Sequence, residues 1–133
     1  VVVVDGERLP DTIPESQSLV VLAAEGPVTI SGCGHAGLVN TLDHVRATIA
    51  DLPPHAAIGG FHLFAADDET LSWTADRLVD AGLGHLLGSH CTGFETVVKI
   101  RDRASLEPGR AVIGAVGTRF EAGAGIVPGN INR

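Results

Sequence analysis

Apolar residues along the chain follow two rhythms, short uninterrupted runs and longer stretches in which they return every third or fourth position. Val1 to Val4, Ser18 to Ala23, Pro27 to Ser31, Ala56 to Gly60 and His85 to Gly88 are runs of the first kind and predict strands. Glu25-Gly26 turns the second of these back into the third, which predicts a hairpin. Leu38, Leu42, Val45 and Ile49 mark one face of a helix reaching about Ala50, where Leu52-Pro-Pro54 stops it. Asp67-Asp68 supplies an N-cap for a second helix that buries Leu71, Ala75, Leu78 and Val79 and ends at Gly82. A third helix, from Phe94 to about Arg103, buries Phe94, Val97 and Val98 before Pro108-Gly109. Ala111 to Gly114 and Thr118 to Glu121 read as two more short strands, Asp5-Gly6 as a turn, and Pro10 to Pro14 as an irregular connection.

Strands separated by helices predict a parallel α/β sheet, and one local grammar recurs along it. A short strand, glycine, histidine and then a helical segment appear in Ser31-Gly-Cys-Gly-His-Ala-Gly37, in Gly59-Gly-Phe-His62 and in Gly88-Ser-His-Cys91. Parallel strands share one carboxyl edge, where open α/β sheets place their ligand sites, so His35, His62 and His90 converge there. His55 and His85 precede their strands and belong at the opposite edge, and His44 lies inside the first helix.

With 133 residues, 44% hydrophobic and 19% charged, the composition suits one globular domain, 1–122, followed by a loose Gly/Pro/Asn-rich tail, 123–133. The opening Val1 to Val4, without methionine, reads as the continuation of an interrupted strand, and hence as a fragment. A formal charge of -7 and the lack of a Lys/Arg cluster speak against nucleic acid or an anionic membrane surface as partner. Two cysteines are no disulfide framework, and together with the absence of a signal peptide or an apolar span they point to the cytoplasm.

Neutral imidazole at a strand end is a good ligand for a divalent ion, and glycine lets the backbone turn sharply beside it. Metal ligation therefore outweighs isolated loop histidines for His35, His62 and His90 as a set. Cys33 stays open as a ligand or as a residue supporting one, whereas Cys91 reads as packing. Ser31 and Ser89 lie outside any Gly-x-Ser-x-Gly elbow. Gly32-x-Gly34-x-x-Gly37 matches a dinucleotide fingerprint only formally, since no acidic residue ends the next strand.

Taken in order, Gln17-Ser-Leu-Val-Val21, Ser31-Gly-Cys-Gly-His-Ala-Gly-Leu-Val-Asn-Thr41, Ile58-Gly-Gly-Phe-His-Leu63 and His90-Cys-Thr-Gly93 resemble the C-terminal half of a metallo-β-lactamase-fold protein. The similarity spans roughly residues 1 to 121 and is to the subgroup that includes the archaeal dihydropterin-methyl-ribofuranosylaminobenzene 5′-phosphate synthases. It implies the C-terminal half of an αββα sandwich with a one- or two-metal site, zinc first, with iron or manganese as alternatives. His35 and His90 correspond to ligand motifs of the family, and His62 lies at the same edge as a ligand or a substrate-orienting group. The His-x-His-x-Asp-His motif of the first half is nowhere in the sequence, so a missing N-terminal half of the same domain is an expected partner. No catalytic acid or base and no substrate-binding residue is assigned.

Three functions follow from these expectations. A metal-dependent hydrolase of a small-molecule ester, lactone or phosphate comes first. A transferase joining a pterin-methyl diphosphate to an arylamine is the second, and a half-domain inactive by itself, or associating as a homo-oligomer, is the third.

Overall fold

The computed structural model describes residues 2–4, 7–10 and 16–129. The expected turn at Asp5-Gly6, most of the irregular connection before Pro14 and the last residues of the tail lie outside them. Strands β1 (Val2–Val4) and β2 (Glu7–Leu9) form an antiparallel pair, the second of which the sequence pattern did not announce. The main sheet contains β3 (Ser18–Ala23), β4 (Gly26–Ser31), β5 (Ala56–Gly59), β6 (His85–Gly88) and β7 (Ala111–Ile113), in that spatial order. The β3–β4 hairpin is antiparallel and β4 to β7 are parallel.

Helices α1 (Leu38–Thr48), α2 (Asp68–Ala81) and α3 (Phe94–Arg103) carry the three parallel crossovers. Each crossover steps to the neighbouring strand in the same direction, and right-handed connections then put all three helices on one face. The core confirms it. Ala57, Leu86 and Ala111 stand in register across the sheet and meet Leu38 and Leu42 of α1, Leu71, Ala75 and Leu78 of α2, and Val97 and Ile100 of α3. Alanine at three of these positions leaves room for the helix backbones to approach.

Helix ends follow the expected chemistry. Asp67 Oδ1 accepts the Thr70 N–H at 2.8 Å, and Gly82 adopts φ 73°, where a side chain would be strained. Two expected core positions do not hold. In α2 the buried stripe is Leu71, Thr74, Ala75 and Leu78, while Val79 is 55% exposed because eight residues at 3.6 per turn carry it about 80° off the stripe. In α3 the stripe is Thr96, Val97 and Ile100. Phe94, the first residue, points away before the helix docks and is 65% exposed, and Val98 is half-buried.

The opposite sheet face is only partly covered. Strands β8 (Arg119–Glu121) and β9 (Gly125–Val127) form a hairpin that reaches into the segment expected as a loose tail. It packs at the amino-terminal end, where the Phe120 ring meets those of His55 and His85 edge-on at 5.5 and 5.6 Å and Ile126 is buried. Farther along the same face Leu19 and Ile30 are register partners, and they and Val21 stand exposed. Among the described residues no helix is long and apolar enough to cross a membrane.

Leu78→Ala is expected to cost about 2–5 kcal/mol in denaturant unfolding, since a fully packed side chain leaves a cavity. Val79→Ala is expected to stay within about 0.5 kcal/mol. Stability also depends on pH through His85. Burial, opposed by its hydrogen bond to the His55 carbonyl and assisted by nearby His55 and Arg110, holds its pKa below the ordinary imidazole value. The unfolded chain therefore takes the proton first, so His85 contributes full stability above about pH 6.5 and loses it as the pH falls. Urea midpoints across this range, compared with His85→Gln, measure the contribution.

Candidate metal centre

Register places the site. Ser31, Gly59 and Gly88 are consecutive partners across β4, β5 and β6, so the residues after them leave the sheet side by side at its carboxyl edge. Cys33, His35, His62, His90 and Cys91 lie on these turns. At the far end the His55 and His85 rings meet edge-on with centroids 5.1 Å apart, and His44 lies within α1.

The turns are tied together by backbone groups that continue the ladder beyond the strands. Gly60 N–H donates to Gly32 O at 3.1 Å, and Ser89 N–H donates to Gly59 O at 2.9 Å. Thr92, fully buried, links the second and third turns: its hydroxyl accepts the Phe61 N–H at 3.1 Å and donates to Gly59 O at 3.0 Å. Gly34 has φ 69°, and a Cβ there would stand 2.6 Å from Gly60 O, so only glycine permits this approach. His62 and His90 hold φ of 51° and 50°, a left-handed backbone that few non-glycine residues adopt and that clusters at functional sites.

Five donors result, in two groups that share one sulfur. Cys33, His35 and His62 have donor atoms all within 4.8 Å of one another, and so do Cys33, His90 and Cys91. Cys33 Sγ is 3.7 Å from His62 Nδ1 and 3.1 Å from Cys91 Sγ. The His35 and His62 rings meet edge-on at 4.9 Å. Thus His35 and His62 fall together, whereas His90 joins the cysteines.

Sequence reasoning assigned Cys91 to packing, yet its sulfur sits among these donors, accepting the His62 N–H at 3.3 Å and donating to Cys33 O at 3.2 Å. The available signal was that both cysteines of the chain neighbour strand-end histidines. The hydrogen bond with Cys91, burial and the Cys91 charge all push the Cys33 thiol above its ordinary range. Among the described residues, the buried His35 Nδ1 has no hydrogen-bond partner. A histidine with an orphaned ring nitrogen, in a group of sulfur and nitrogen donors, fits a borderline-soft divalent ion. Neither group contains a carboxylate, so the donors here are imidazole and thiol alone.

No protein-family model matches the chain. It is 31% identical over 91 residues to the 7,8-dihydropterin-6-methyl-4-(beta-D-ribofuranosyl)-aminobenzene-5'-phosphate synthase of Methanocaldococcus jannaschii, a stretch covering 68% of this chain and 31% of that protein. It also superposes on the crystal structure of a metal-dependent hydrolase of the beta-lactamase superfamily with a TM-score of 0.65 and 33% identity, over 77% of this chain and 39% of the other. The chain therefore spans well under half the length of either enzyme. Its sheet with helices on one face has the architecture of one of the two α/β layers in such a protein. By sequence and by fold the chain resembles the metallo-β-lactamase superfamily, and its fold is that of half an αββα sandwich.

Proposed function

We propose that this chain forms one side of the active edge of a metal-dependent hydrolase, with His35, His62 and His90 as metal ligands and a small-molecule ester, lactone or phosphate as substrate. The placing of His35 in one donor group with Cys33 and His62, together with its buried Nδ1 that has no partner among the described residues, carries the reading. A divalent ion, zinc before iron or manganese, would supply Lewis acidity, polarising a carbonyl or phosphoryl oxygen and making water acidic enough to serve as a nucleophile near neutral pH.

The chain's own residues do the positioning. Burial of Nδ1 keeps that nitrogen of the half-buried His35 out of bulk water, and the edge-on contact with His62 limits rotation of both rings. Phe64, its ring 5.4 Å from that of His62 and largely exposed, shields one flank of the edge. The exposed stretch of Leu19, Val21 and Ile30 would pack against the other sheet of the sandwich in the full-length protein, which would close the site from the opposite side.

A transferase is the second reading, favoured by the 31% identity to the dihydropterin synthase. The same edge would then promote departure of a diphosphate as an arylamine attacks, chemistry that the fold does not distinguish from hydrolysis.

In the full-length protein His90→Ala is expected to lose metal and to lower turnover by more than about 100-fold, because ligand loss exceeds the cost of outer-shell changes. His62→Ala separates two roles: metal lost together with turnover makes it a ligand, and turnover lost with metal retained makes it an orienting group. Metal analysis and turnover on the same preparations decide this, with phosphate-ester hydrolysis and arylamine transfer assayed in parallel. Full metal content and activity in His90→Ala would refute the proposal.

A further inference from the structure

We propose that Cys33 and Cys91 are themselves metal ligands, so that the edge takes a thiophilic divalent ion through Cys33, Cys91 and His90, with the Cys33 sulfur shared with His35 and His62. The inference rests on the metal-centre reading above and extends it from imidazole alone to a sulfur-containing donor set.

The two cysteines of the chain stand 58 positions apart in sequence and leave different strands, yet their sulfurs lie 3.1 Å apart. Their surroundings are those of ligands. Cys91 Sγ accepts a backbone N–H from His62, a bond that strengthens as the sulfur takes negative charge, and His62 Nδ1 stands 3.7 Å from Cys33 Sγ. The space is kept by Gly60, where a Cβ would meet Cys91 Sγ at 3.1 Å and Cys33 Cα at 3.2 Å.

With zinc–sulfur bonds near 2.3 Å and zinc–nitrogen bonds near 2.0 Å, donors around a tetrahedral ion lie about 3.3–3.8 Å apart. Cys33 Sγ to His62 Nδ1, at 3.7 Å, lies within that range, and the two sulfurs, at 3.1 Å, lie just below it, so a small parting of the thiols would seat an ion. On ligation each S–H bond breaks, its proton goes to solvent and the sulfur lone pair forms the bond to the ion, with no electron transferred. Two thiolates and an imidazole select zinc or cobalt over magnesium, calcium or manganese.

Cobalt(II) reads this out directly. Titrated into the reduced, metal-free, full-length protein, it is expected to give a near-ultraviolet sulfur-to-cobalt charge-transfer band that zinc abolishes and manganese leaves unchanged. The band should weaken in Cys33→Ser and in Cys91→Ser and vanish in the double variant. Zinc should also protect both thiols of the unmodified sequence from iodoacetamide, a readout that survives if a variant fails to fold. Cobalt ligand-field bands without the charge-transfer band, or equal alkylation with and without zinc, would overturn thiolate ligation and leave the histidine centre standing. No cobalt absorption at all would overturn the centre and the proposed function together.

Discussion

The in-register ending of three parallel strands is the constraint on which the molecule depends. Ser31, Gly59 and Gly88 are successive partners across β4, β5 and β6, so three turns far apart in sequence begin at one level of one edge. A slip by one residue in any strand would invert its faces, exchanging the helix-facing row of Ala57, Leu86 and Ala111 for the opposite one. Burial of that row against three helices therefore also holds the histidines and cysteines level. Core and site share one determinant.

Close approach of the turns has its own requirements. Gly34 and Gly60 admit neighbouring backbone where a side chain would collide, and Thr92 on the third turn satisfies two backbone groups of the second with one hydroxyl. Donor atoms brought this close carry unmet demand, as at His35 Nδ1, and left-handed backbone at His62 and His90 is sustained by the same network. Tight packing here yields convergent imidazole and thiol donors without a carboxylate.

The two faces of the sheet differ for a topological reason. Successive right-handed crossovers in one direction put the helices on one face and leave the other, among the described residues, to the β8–β9 hairpin, which packs at the end bearing His85. Leu19, Val21 and Ile30 remain exposed there, in keeping with a layer that is half of a sandwich and a chain that spans 39% of a solved structural neighbour.

Element type and order were legible in the sequence because they rest on local chemistry: the β3–β4 hairpin, the Asp67 cap, the Gly82 stop and the span of α3 all follow from side-chain period and turn residues. The parallel edge was legible too, since handedness leaves few alternatives once strands and helices alternate. Tertiary structure alone decided which helix residues face inward, exposing Val79 and Phe94, because rotation about a helix axis is set by the surface it docks on. It also paired β9 with β8 and set Cys91 beside Cys33. The two cysteines stand far apart in sequence, and neither local period nor turn chemistry carries the distance between them.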